Sequence, residues 1–346
     1  MTGQKNQIPC QQDAAAGHAY VLYCAHQKFG DEKFLKGAES ALKALESQTE
    51  SRFYEVLMPF GALTAARLNA EYGTSFDVSK ILNWTFDGCK AEIGRTGWGI
   101  ISGRFGDYDV SGLQGNTIEG GGYAFLMNTF DMAWPLVPMV RYAPEYSNSI
   151  GKWMLNMANA ARLFYPYEIP DKNQSLPELK DLTRNIIAYE GLRNVDVYDD
   201  ERLKGVSPVA LGDGPHWVVN QPRVSMFSIY GSAHVGIFGS IISTTNVEQV
   251  LRLNCLATDF YGTKAYPTYL YYNPYNEVKN IIYIHSGNPV DLYDVLTGLV
   301  IAENVEANTE FNIEKQASRL LVAIPSGSNI EHKNGKVYAN GVVIAF

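Results

Sequence analysis

Side chains able to do chemistry are densest between Arg104 and Arg141, RFGDYDVSGLQGNTIEGGGYAFLMNTFDMAWPLVPMVR. Asp107 and Asp109 flank Tyr108, Glu119 opens a run of three glycines, and Tyr123 begins an apolar segment carrying Asn128, Asp131 and Trp134. Two carboxylates can share the cleavage of an acetal: one protonates the leaving oxygen, the other activates water or attacks carbon. Separations of ~6.5 to 9.5 Å go with inversion and ~5 to 5.5 Å with retention. Asp107, Asp109, Glu119 and Asp131 are the local candidates, and in an extended chain Asp107 and Asp109 point to the same side. The plainer reading of each is a turn cap or, for Asp131, a pair within the core. A different set suits elimination beside a uronate carboxyl group, where a phenol or imidazole removes the proton and amides or a guanidinium steady the enolate. Tyr123 with Arg104, Asn116 and Asn128 supplies that set, with His18, His26, His216 or His234 brought in by folding. His216 lies in GDGPHW, where a turn presents an imidazole beside Trp217. Trp98, in GRTGWG, and Trp217 suit a sugar cleft, whereas Trp134 and Trp153 sit in apolar helical runs and read as core.

The elements that must carry these groups divide into a helical part and a strand-rich part. Asp13 caps a first helix that Gly30 stops, and DEKFLKGAESALKALESQ follows with Phe34, Leu35, Ala38, Leu42 and Leu45 on one face. Pro59 lies near the start of a third helix ended by Gly73, and Asp77 opens a fourth that runs to Phe86. The glycine-rich stretch from 88 to 122 reads as a long, ordered loop, the kind that carries function. Helical patterns return at 123–141, 145–164 and 177–190, the last with proline at its first position. The segment around Gly231 suits helix or strand equally. From about Arg252 short β-prone runs alternate with turns, and Asn334-Gly335 and Asn340-Gly341 are tight-turn signals. The fold class expected is α+β: α/α hairpins over residues 1–225, then a connector and an antiparallel β-sandwich over 226–346.

Composition narrows the partners. A net charge of −8 and a chain without a Lys/Arg cluster argue against nucleic acid. Cys10, Cys24, Cys89 and Cys255 are far apart and show no zinc spacing, so neither a disulfide framework, a metal nor a cofactor is expected. His18 and His26 stand eight residues apart, too far for a metal pair on one helix face. No export signal and no membrane span is legible, which leaves the cytoplasm or an exported mature fragment as locations. Phosphate loops, GxSxG and HExxH motifs are not found, and Ser232 beside His234 in sequence says little about a dyad.

The hairpin series, the loop GRFGDYDVSGLQGNTIEGGGYAF and the tail VDLYDVLTGLVIAENV followed by RLLVAIPSG resemble the α/α-toroid carbohydrate-active enzymes that end in an antiparallel β-domain. That group includes glycoside hydrolases and heparinase II/III-type polysaccharide lyases. The resemblance is architectural and spans most of the chain. It implies an oligo- or polysaccharide substrate, with a glycoside hydrolase first, a lyase second and a non-catalytic glycan-binding or scaffold subunit third. Such toroids commonly hold about six hairpins, whereas seven helices are legible here, or eight with the segment near Gly231. The expectation is therefore an open toroid, or the C-terminal part of a longer enzyme whose missing N-terminal half or a homo-oligomeric partner completes the cleft.

Overall fold

The computed structural model describes residues 13–89, 97–118, 122–194, 201–212 and 232–346. Helices α1 (Ala14–Phe29) and α2 (Glu32–Glu46) turn back on each other at Gly30, whose φ of 71° is the left-handed geometry glycine accepts without strain. Leu35, Ala38, Leu42 and Leu45 are buried as their spacing predicts, each large side chain contributing roughly 1.5–3 kcal/mol. Helix α3 (Leu57–Tyr72) crosses α1 at Gly61, where a Cβ would stand 2.7 Å from that of Ala16. It ends at Gly73, also left-handed, and α4 (Val78–Phe86) starts where the Asp77 carboxylate accepts the Lys80 N–H at 2.8 Å.

The first cap differs from the sequence expectation. Asp13 makes no capping bond on α1; its carboxylate instead accepts the backbone N–H of Tyr54 at 3.1 Å across the fold. Burial there pushes its pKa from 3.8 up to about 7. The folded protein thus holds a proton that the unfolded chain loses near pH 4, so Asp13 favours folding fully only below that pH, and this contribution is lost as pH rises through about 7. In denaturant titrations Asp13→Asn should gain on the parent as pH rises from about 4 to 7 and then run level, by about 4 kcal/mol at the plateau. A gap that does not change with pH would show that Asp13 is not a buried acid.

Residues 98–118 and 122–125 are not an open loop. Strands β1 (Trp98–Ile100), β4 (Gln114–Asn116) and β5 (Tyr123–Phe125) join β6 (Gly191–Arg193) and β7 (Val209–Leu211) in one antiparallel sheet, ordered β1-β4-β5-β6-β7. Between β1 and β4 a small hairpin forms from β2 (Arg104–Phe105) and β3 (Tyr108–Asp109). The row Gly99, Gly115, Ala124, Leu192 and Ala210 runs across the sheet, and its last three residues are buried in the core that contains the helices.

Helix α5 (Leu126–Met139) follows β5 directly, and α6 (Ser147–Ala161) follows α5. The helix expected over 177–190 does not form. Only a 3-10 turn at Pro177–Leu179 and irregular turns are present, because Ile187, Ala188 and Tyr189 are drawn, fully buried, into the extended lead to β6. The ambiguous segment near Gly231 contains helix α7 (Ser232–Ile241), which runs straight into β8 (Ile242–Thr244). Seven α-helices are thus found among the described residues, and none is long and apolar enough to cross a membrane.

The C-terminal strands are β9 (Leu251–Asn254), β10 (Thr268–Tyr272), β11 (Lys279–Tyr283), β12 (Val290–Asp294), β13 (Leu299–Val305), β14 (Thr309–Ile313), β15 (Ser318–Pro325), β16 (Ile330–Lys333), β17 (Lys336–Ala339) and β18 (Val342–Ala345). An antiparallel sheet ordered β13-β12-β15-β10-β9-β8 is its centre. Side chains alternate across it: Tyr271, Leu321 and Ala323 pack on the β11–β14 pair through Ile281, Phe311 and Ile313. Leu253, Leu270 and Leu320 join the helical core, while Val322 and Ile324 meet Ala339 and Ile344 of the last three strands. Asn334-Gly335 and Asn340-Gly341 turn those strands with positive φ at all four residues, as expected.

Candidate functional site along helix α5

Helix α5 is apolar nearly throughout, LMNTFDMAWPLVPM, and packs against α3, α6 and α7. Every residue in it is buried except Met127, Asp131 and Trp134. Their spacing of four and three puts them on one face, so a helix otherwise sealed in the core opens along a single stripe. The stripe holds a thioether, a carboxylate and an indole.

Opposite Asp131 stands His234 of α7, its Nε2 3.6 Å from the carboxylate. Stacking of Phe238 on Phe130, with centroids 4.4 Å apart and planes at 15°, fixes α7 against α5. The two side chains keep 22% and 28% of their surface, enough for a ligand to reach them. Burial raises the Asp131 pKa above the usual carboxylate range, and the His234 charge pulls it partly back. A carboxyl group that holds its proton above the usual range is suited to act as a general acid.

One turn on, Trp134 meets Phe60 and Phe260 edge-on at 5.8 and 5.3 Å. With Tyr20, Val21 and Cys24 of α1, and with Phe260 and Tyr261, it lines a pocket of about 420 Å³. The loop that brings Phe260 and Tyr261 there is fastened from below. Asp259 pairs with both Arg67 of α3 and Arg141, accepts the Tyr142 hydroxyl at 3.0 Å, and is itself buried. Arg67 also donates to the Phe260 carbonyl at 3.1 Å, and the Thr258 hydroxyl to that of Trp134 at 2.8 Å.

At the other end of the stripe, Met127 packs with Tyr54, Trp98, Tyr123 and Phe125. Trp98, Asn116, Tyr123 and Arg193 are consecutive cross-strand neighbours and so share one face of the five-stranded sheet. The Tyr123 hydroxyl donates to Glu190 Oε1 at 2.7 Å, and the Arg193 guanidinium lies 4.2 Å from the Tyr123 ring. That ring lies so close over Gly191 that a Cβ there would come within 2.1 Å of it, which explains the glycine.

Of the residues marked in the sequence, the fold therefore collects Trp98, Asn116 and Tyr123 in one row, with Asn128 buried one turn into α5. Asp107, Asp109 and Arg104 belong instead to the β2–β3 hairpin and are exposed. The hairpin tip rests on Ser207, whose carbonyl would be 2.3 Å from a Cβ at Gly106. Arg104 donates to the Asp107 carbonyl, and the Asp109 carboxylate accepts the Ser111 N–H at 2.9 Å, so these groups hold the turn. Because Asp107 sits in that turn, the extended geometry that would align it with Asp109 is not formed. Glu119, His216 and Trp217 lie outside the described residues. His18 is exposed, and His26 bonds the Asp31 carbonyl and the Tyr72 hydroxyl at 3.2 Å each, a structural role.

Sequence reasoning passed over Glu190, Arg193 and the aromatic pair Phe260–Tyr261. A usable signal existed in TDFYG, where an acid, two aromatics and a glycine crowd one turn; AYEGLR gave none. Trp134, read as core, borders the pocket. Among the described residues no group of three or more His, Cys, Asp or Glu could hold a metal ion, and Cys24, Cys89 and Cys255 form no disulfide.

Comparison with protein-family models, curated proteins and solved structures gives no match.

Proposed function

We propose that this chain is a carbohydrate-active enzyme that hydrolyses glycosidic bonds along the open stripe of α5. The observation that carries the reading is Asp131: a carboxyl group with a raised pKa, facing an imidazole on an otherwise buried helix, one turn from an aromatic-walled pocket. In this reading Asp131 protonates the leaving oxygen and His234 tunes it. Glu190, held by the Tyr123 hydroxyl, is the second carboxylate of this reading, and Trp134 borders the substrate. The reading is supported in outline by an α+β fold whose helices are followed by antiparallel C-terminal sheets.

A second reading has its own observation. Tyr123 lies beside Arg193 and Asn116, the grouping that elimination from a uronate would use. Hydrolysis is placed first because the residues lining the pocket next to Asp131 offer no cation to hold a uronate carboxylate. The test is a screen of the purified chain on plant, algal and host glycans, reading new reducing ends and unsaturated products together. Reducing ends without an unsaturated chromophore are expected; unsaturated products would replace the hydrolase with the lyase. A folded chain that binds glycan but yields neither product would favour the non-catalytic subunit.

A further inference from the structure

The pocket beyond Asp131 is walled by Tyr20, Val21, Cys24, Trp134, Phe260 and Tyr261, none of them charged near neutral pH. Its volume of about 420 Å³ falls in the range of roughly 300–1,000 Å³ typical of small-ligand sites. The Arg67 guanidinium is sealed beneath the loop, engaged by Asp259 and the Phe260 carbonyl and with no exposed surface. Tyr261 is exposed although its φ is 57°, a conformation rare for a bulky residue. A backbone held in that region against its preference is kept by its surroundings, and here the Asp259 clamp supplies the hold. Gly262 completes it, since a Cβ there would meet Asp259 and the Tyr142 hydroxyl at 2.6 and 2.7 Å. Two exposed aromatic rings are thus presented by a loop that cannot rearrange without breaking buried ion pairs.

Resting on the hydrolase reading, we infer that this pocket is a subsite for a neutral sugar, with Tyr261 and Phe260 as the platform on which the apolar face of the ring stacks. An uncharged pocket discriminates against acidic sugars. A uronate placed there would lose hydration and gain no counter-charge. The substrate class of the enzyme is accordingly a glycan with neutral residues at this position.

The test is calorimetric titration of the purified chain with cello-, manno- and xylo-oligosaccharides, and with oligogalacturonates as the charged panel. At least one neutral series should bind. Tyr261→Ala should weaken it about tenfold at an unchanged melting temperature. Tyr261→Gly removes the ring while relieving the backbone, so it should lose the same affinity even if the alanine variant folds poorly. Binding of uronates only, binding of neither panel, or unchanged affinity in both Tyr261 variants would overturn the inference. Asp131→Asn separates the two proposals. If it still binds neutral sugar but no longer turns it over, both stand; if it binds and turnover is intact, the role of Asp131 fails and the platform survives.

Discussion

Asp131→Asn is expected to lower kcat by about 10²–10⁴-fold with little change in the melting temperature. The amide keeps the size of the carboxyl group on the half-open face of α5 but cannot deliver a proton to a leaving oxygen. The pH profile tells an acid from a residue that only positions substrate. Because burial raises the Asp131 pKa, the protonated form persists above the ordinary carboxylate range, and activity should fall as pH rises through that raised value. The His234 charge lowers the Asp131 pKa, so His234→Ala should carry the alkaline limb to higher pH while lowering the rate far less than Asp131→Asn does. An Asp131→Asn enzyme within about twofold of the parent, or a His234→Ala profile that does not move, would exclude this assignment.

The largest stability effect should come from Asp259→Ala, about 3–5 kcal/mol by chemical denaturation. Asp259 is the shared partner of Arg67 and Arg141, and all three side chains are at least 95% buried. Removing it leaves two guanidinium groups facing each other out of water, which is far costlier than losing one favourable contact. Arg67 already has its Nε and Nη1 without a partner among the described residues, so it has little reserve. The exposed Lys180–Asp171 pair, 2.6 Å apart, should by contrast tolerate Asp171→Ala almost unnoticed. A small loss from Asp259→Ala would mean that water reaches the arginines and that the loop carrying Tyr261 is held by something else.

Local signals in the sequence proved readable where one turn of chain decides the outcome. Gly30 and Gly73 stop their helices in left-handed geometry, Asp77 caps α4, and the two Asn-Gly turns fold the final strands. Prediction stopped where distant partners decide. Asp13 looked like a cap by its position, yet Tyr54, 41 residues away, takes its carboxylate. The 177–190 segment has helix signals at its start, but burial of Ile187 to Tyr189 beside β5 and β7 outweighs them. The candidate site shows the same division: the dense stretch 104–141 contains both ends of the α5 stripe. The groups that complete it, Glu190, His234 and Tyr261, lie 67, 103 and 127 residues or so beyond the positions they serve, and no local pattern links them.

The way Leu253, Leu270 and Leu320 enter the same core as the helices bears on how this protein can change over generations. A β-module joined by a free linker can be lost, duplicated or exchanged without harm to its neighbour. Here the inner face of the sheet serves as a wall of the helical body, α6 lies on it closely enough that a Cβ at Gly151 would meet that of Tyr272 at 2.6 Å, and the chain next to β9 supplies Asp259. The two parts therefore share one seam, and recombination between them would have to keep both of its faces.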